Sequence, residues 1–439
     1  MINPIREYAW GSQTAFSELF GWEVPQGPQA ELWMGAHASA PSSVVLSEGE
    51  DESVAPLGSL MDDGEPFPFL LKVLAADRPL SLQAHPGRVH AEQGYSAETE
   101  AGIAADSPLR NYHDPHSKPE LIVAVTEFIA LCGFRPIQGI LEDLQALSGV
   151  VEHWAGSKTP AVAAVLSRLG ELIEAGDYRG AAEYILRDAE GQVGLAATLV
   201  NEVVVESALA PSPTPAPAES REQAPPELPD GLRDTLLRVS HYFPQDPSLF
   251  VVMLLNRVVL RPGEALYLPP GQLHAYLQGT GIEMMTNSDN VLRGGLTGKH
   301  IDIEELLKVA TWQEFEDPYC PVTVTEPGRA VYEPPFGTLR LERIELGGSS
   351  EERVSGPLEV ECPGSAIALC LSGAVTFEDA AGGTLDLRAG ESAFLPDEAR
   401  RLLHNAQPGT AAAATVFLAA MAPPAAEPAA AADDAGRQV

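Results

Sequence analysis

Positive charge is scarce in this 439-residue chain: 27 lysines and arginines stand against 62 aspartates and glutamates, a formal net charge of −35. Such a balance repels polyphosphate backbones and anionic headgroups, which argues against nucleic acid and membranes as partners. An anionic substrate would have to be caught by a few locally placed cations. Cysteine is scarce as well. The four present, Cys132, Cys320, Cys362 and Cys370, form no CxxC pair and no disulfide-like framework, so they are expected to be reduced and mostly buried. No motif sets a base beside any of them, which argues against thiolate chemistry. No uninterrupted apolar run approaches ~18 residues, and the start, MINPIREYAWGS, lacks the basic stretch and apolar core of a secretory signal. A cytoplasmic protein is the expectation.

What is present divides into blocks. The length exceeds one ordinary core and implies two or three domains. Residues 1 to about 135 are rich in Gly, Pro and short apolar runs, including Phe69 to Leu74 and Leu121 to Val125, which reads as β structure with many turns. From Ile137 to about Val205 the apolar spacing changes to three and four, as in Ile140, Leu144 and Leu147 or Val162, Val165, Leu166 and Leu169, the pattern of amphipathic helices. Residues 208–230 alternate Pro with small and acidic residues and read as a solvated loop. A helix is expected over Leu232 to Val239, and β character resumes at Leu249. The fold class is therefore mainly β, with a helical insertion. The expected domains are a barrel in two parts, 1–136 and 241–321, an insertion at 137–240, a second barrel at 322–420 and a disordered tail at 421–439.

The two β blocks carry a repeat. Gly263, Pro269, Gly271, His274 and Gln278 recur at the same spacing as Gly390, Pro396, Glu398, Arg401 and Asn405. Gly and Pro form the turn into a strand, and the residue in the His274 slot points into a barrel mouth. This resembles the second motif of cupins, small jelly-roll barrels whose histidine at that slot binds metal. Arg401 fills the slot in the second copy, so one metal per chain is expected, in the first barrel.

Metal-ligand types cluster in the first barrel. Gln83 and His85 lie two apart in PLSLQAHPG, so on a strand they share a face while Leu82 and Ala84 point to the core. Glu120 follows Pro119 and opens an apolar strand; His274 is the fourth. One amide, one carboxylate and two imidazoles suit a borderline cation such as zinc. His90, His113 and His116 lie near enough in sequence to stand in for one of them.

The segments NPIREYAWG, ELWMGAHASAPS, PFLLKVLAADRPLSLQAHP, HDPHSKPELIVAVTEFIALCGFRP and LYLPPGQLHAYLQGTGIEMMTNSDNVLRGGLTGKHID together resemble the type I phosphomannose isomerases, in that family's order, over about residues 3 to 320. The resemblance implies two cupin-type jelly-roll barrels with a helical insertion and one zinc per chain on Gln83, His85, Glu120 and His274. It also implies isomerisation of a small sugar phosphate by a monomer. Arg293 is then an active-site cation, and Ser81, Tyr276 and Lys299 bind substrate. The Pro-rich loop and Gly298, where a proline is often seen, depart from the pattern.

GGLTGK is not a phosphate loop, since position 293 is Arg and Lys299 is followed by His300. It remains a Gly-flexible segment with two cations. Moving a proton between C2 and C1 through an enediol requires a base close to both carbons. Glu283 and Lys118 are the candidates. Glu283 lies an odd number of residues beyond His274, across a Gly-Thr-Gly expected to turn, so its facing stays open. The rivals are another metal-dependent cupin enzyme, which usually shows HxH where this chain has Gln83 and His85, and a non-catalytic sugar-binding barrel.

Overall fold

The computed structural model describes residues 1–47, 53–61, 66–154, 156, 159–209, 226–348, 353–354, 356–361, 364–396, 401–406 and 413–422. Most of the Pro-rich loop, nearly all of the tail, Cys362 and Glu398 of the repeat lie outside these residues. Two compact units divide the chain, Ile2–Cys320 and Pro321–Val439 with Met1.

The larger unit is organised by one strand, His274–Thr286, in a ten-stranded sheet. Its first residues pair antiparallel with Leu82–Ala84 and with Phe128–Phe134, and its last residues with Phe69–Ala76 and Glu120–Ala124. That connectivity places His274 opposite Gln83, Glu283 opposite Lys72 and Met285 opposite Glu120. Period-two alternation sorts Phe128–Phe134 between two cores. Ile129 and Leu131 join a cluster shared with the inserted helices, whereas Phe128, Ala130 and Cys132 join Leu74, Ile122, Val258 and Tyr276.

The insertion runs through Ile137–Trp154, Thr159–Glu174, Tyr178–Arg187, Gln192–Leu209 and Asp230–Tyr242. Its apolar stripes bury Leu144, Leu147, Val165, Leu169, Val200 and Leu236 against one another, each such burial contributing about 1.5–3 kcal/mol. Gln192–Leu209 is long and apolar enough by composition to cross a membrane. Its Val193, Ala196, Ala197, Val200, Val203 and Val204 belong to the same buried cluster.

The structure corrects three sequence expectations. The first block is interrupted by helices at Ala15–Phe20 and Arg88–Glu100; the second buries only Ala91, so it has no apolar stripe to betray it. Leu249–Met253 is a helix, not the resumption of β structure, which begins at Leu255. A five-residue apolar run does not distinguish the two. Finally, Gly279-Thr280-Gly281 is not a turn but lies inside the continuous strand His274–Thr286.

The smaller unit has a six-stranded and a four-stranded sheet. Its repeat is matched locally. Ser392–Leu395 precedes Arg401 as Ala265–Leu268 precedes His274, and both Gly263 and Gly390 have positive φ, 89° and 85°.

Candidate metal centre and its cavity

His85, Glu120 and His274 are all buried, with one ligand atom from each within 4.8 Å of the others. The strands explain the convergence: His274 begins one, Glu120 begins another, and His85 follows Leu82–Ala84. His85 Nε2 lies 3.3 Å from Glu120 Oε1, and His274 Nε2 lies 3.6 Å from Glu120 Oε2.

The protons can be placed. His85 Nδ1 donates to the Asn290 carbonyl at 2.7 Å and His274 Nδ1 to the Gln272 carbonyl at 2.9 Å. Carbonyls only accept, so each Nδ1 carries the hydrogen and each Nε2 presents a lone pair. Burial lowers both imidazoles, His274 to about 4, and keeps them neutral near pH 7. Two lone pairs therefore face the two oxygens of a carboxylate, and His85 Nε2 is buried without a hydrogen-bond partner. Acceptors opposed in this way repel unless a cation sits among them. The separations are close to the edge of a tetrahedron with ligands at 2.0–2.1 Å, about 3.3 Å.

Gln83 stands beside the trio. Its Oε1 accepts from Ser81 Oγ at 3.3 Å, and its Nε2 lies 3.3 Å from His274 Nε2. A half-turn of the amide exchanges oxygen and nitrogen and brings the amide oxygen into the group as a fourth ligand. Burial alone would raise the Glu120 carboxyl, but Lys118, with Nζ at 3.0 Å, and His85 hold it well below its ordinary range. His90, His113 and His116 are exposed and outside the cluster.

A cavity of about 700 Å³ opens over this centre, lined by Ser81, Gln83, Lys118, Glu120, Tyr276, Glu283, Arg293 and Lys299 among others. The sequence-predicted residues thus come together, with His85 and His274 buried behind Gln83 and Glu120. Glu283 reaches the same side as His274 because a bulge between Tyr276 and Gln278 shifts the strand's parity. The Tyr276 hydroxyl is buried facing Glu283 and makes no hydrogen bond of full geometry.

Sequence reading missed Lys72. Its Nζ lies 2.8 Å from Glu283 Oε2 and 3.4 Å from Glu31 Oε1, all three nearly inaccessible. Trp33 Nε1 donates to Glu31 Oε2 at 2.8 Å, and the Lys72 ammonium lies 5.5 Å from the Trp33 ring centre. Burial would lower Lys72, yet Glu283, Glu31 and Glu120 raise it above its ordinary value and keep it charged. Burial raises the Glu283 carboxyl, against the pull of Lys72 and with help from Glu120 and Glu31. A signal existed: a lysine within the apolar run FLLKVLAA needs partners.

The loop carrying Arg293 and Lys299 is pinned. Gly295 has φ 141°, and a Cβ there would meet Ser248 Oγ at 2.2 Å. Leu296, at φ 53°, donates its N–H to Asp246 Oδ2 at 2.8 Å. Burial lowers Arg293, and burial together with Arg293 lowers Lys299.

Residues 1–137 match the family model described as phosphomannose isomerase type I, catalytic domain. Mannose-6-phosphate isomerase of Escherichia coli K12 is 36% identical over 407 residues, covering 90% of this chain and 94% of that protein. The human mannose-6-phosphate isomerase is 27% identical over 371 residues, covering 79% and 82%. A crystal structure of mannose 6-phosphate isomerase (holo; zinc bound) superposes with a TM-score of 0.77 at 29% identity, covering 96% of this chain and 98% of that one. With a relative of this identity matched over nearly its whole length, the chain belongs to the type I phosphomannose isomerases.

Proposed function

We propose that this enzyme interconverts mannose 6-phosphate and fructose 6-phosphate through a cis-enediol, with one zinc per chain held by Gln83, His85, Glu120 and His274. The observation that carries the reading is the opposition of two imidazole lone pairs and a buried carboxylate at the cavity floor, where a zinc-sized cation fits. The zinc bound in that structural relative supports the choice of metal. When bound, zinc supplies a Lewis acid that polarises the sugar carbonyl.

The chain's own residues account for the rest. A base takes the C2 proton of the open-chain aldose and the electron pair forms the C1–C2 double bond. The carbonyl oxygen gains a proton. Loss of the O2 proton and delivery of one to C1 then give the ketose. Glu283 is the favoured carrier: its carboxyl is held above the ordinary range, which strengthens it as a base, and Lys72 at 2.8 Å fixes its orientation. Lys118, the other candidate, is engaged with Glu120. Arg293 meets charge developing on the enediol oxygens. Lys299 holds the phosphate, and Ser81 and Tyr276 bind sugar hydroxyls.

We also read both units as cupin-type jelly rolls, supported by the repeat around Gly263 and Gly390, with the insertion at 137–240 and no metal in the second unit. A cytoplasmic monomer remains the expectation. The testing experiment is fructose 6-phosphate formed from mannose 6-phosphate before chelation, after it, and after zinc is restored. Activity should vanish and return; activity that persists without metal would remove zinc from the mechanism.

A further inference from the structure

Of the side chains lining the main cavity, five are cations and four are carboxylates, in a chain whose acids outnumber its bases more than twofold. Two of the cations are already balanced, Lys72 by Glu31 and Glu283, and Lys118 by Glu120. Arg293 and Lys299 have no acidic partner among the described residues, and neither has Arg78.

Arg78 is held at the cavity rim rather than left to wander. The N–H groups of Asp77 and Arg78 donate to the Trp10 carbonyl at 2.9 and 3.2 Å, and Leu80 N–H donates to the Tyr276 carbonyl at 2.8 Å. Its backbone is therefore tied to two residues that line the cavity themselves. The exposed guanidinium lies 5.4 Å from the ring centre of Tyr242, the last residue of Asp230–Tyr242. A cation over a ring face loses little of its reach, because the stack restricts the stem and leaves the N–H edges of the guanidinium open. An arginine without a carboxylate, restrained by an aromatic ring and lining the same cavity as the unpaired Lys299, suits an incoming dianion.

We propose that Arg78, positioned by Tyr242, is a further phosphate-binding residue, and that through it the helical insertion contributes to selection of phosphorylated over unphosphorylated hexose. This rests on the reading of Lys299 as a phosphate-binding cation. Arg78 meets the phosphate in ground and transition states alike, so its removal acts on the Michaelis constant and not on turnover.

The test is steady-state kinetics of the zinc enzyme with mannose 6-phosphate, together with inhibition by inorganic phosphate and by a neutral hexitol. Arg78→Ala should raise KM and the phosphate inhibition constant about three- to tenfold, discounted for exposure, with kcat and hexitol inhibition unchanged. Arg78→Lys should recover part of the loss. Tyr242→Leu should reproduce a smaller loss, since the charge remains but its restraint goes. The gap between parent and Arg78→Ala should narrow from roughly 0.05 to 0.5 M salt. A merely structural tether would lower melting temperature and leave both constants alone. If Lys299→Ala raises both constants while Arg78→Ala and Tyr242→Leu leave them as in the parent, the proposal fails alone; if none of the three moves either constant, the phosphate reading of the cavity fails with it.

Discussion

Replacing Lys72 by Met keeps the stem's volume and removes the charge from a buried ion cluster beside the site. In the parent, the ammonium answers Glu283 at 2.8 Å and Glu31 at 3.4 Å, with only 7% of its side chain accessible. The variant leaves two buried carboxylates facing each other, a situation that costs about 3–5 kcal/mol. At ~2.1 cal/mol/K per residue over Ile2–Cys320, that is a fall of about 5–8 °C in melting temperature. The sign with pH follows from Glu283. Its carboxyl is already above its ordinary 4.5 through burial, and loss of Lys72 raises it further. The folded variant then holds a proton that the unfolded chain releases. This proton-linked stability is present at low pH and is lost as pH rises through the folded value. Thermal melts of the zinc-loaded proteins at pH 5.5 and 8 should show the larger deficit at pH 8. Lys72→Met/Glu283→Gln should regain stability but not turnover, which should fall about 10²-fold or more with loss of the oriented base. A Lys72→Met variant with parental melting temperature at pH 8 and turnover within about twofold would show that Lys72 neither neutralises this cluster nor orients Glu283.

Arg293→Ala should depress kcat and Lys299→Ala should raise KM, the first because charge develops in the transition state and the second because the phosphate is gripped throughout; parental kinetics in both would end the assignment. Gly295→Ala should distort the loop that carries both cations, since the new Cβ meets Ser248 at 2.2 Å, and should lower kcat/KM about tenfold or more by misplacement; unchanged kinetics would show that the loop tolerates it. Leu228 packs in the core of the insertion, so the Pro-rich stretch does not stay unpacked up to residue 229; removal of residues 211–225 alone should leave activity near the parent's, and a large loss in a folded deletion would show that the segment acts at the site.

Much of the site was legible because its chemistry sits in local motifs. Gln83 and His85 at strand spacing, Glu120 after proline and His274 after a Gly–Pro turn each needed only a few neighbouring residues. The family resemblance joined them. The alternation that assigned Leu82 and Ala84 to the core holds, both being fully buried. What was not legible depends on contacts distant in sequence. The partner of Glu283 is Lys72, 211 residues away, and its facing is set by a bulge, which breaks the period-two rule without leaving a sequence mark. Asn290, whose carbonyl fixes the His85 tautomer, is likewise visible only in the fold. The exposed helix Arg88–Glu100 was missed because periodicity reports burial, and that helix has almost none.

In the proposed mechanism a single metal, held by the buried ligand group, makes this cavity an isomerase. The most direct test is to titrate zinc into chelated protein while measuring bound metal and fructose 6-phosphate formation on the same samples, for the parent and for His274→Ala. Activity should rise in proportion to bound zinc and saturate at about one per chain, with neither tight binding nor turnover in the variant. Full turnover in metal-free parent, or full zinc occupancy in His274→Ala, would contradict it.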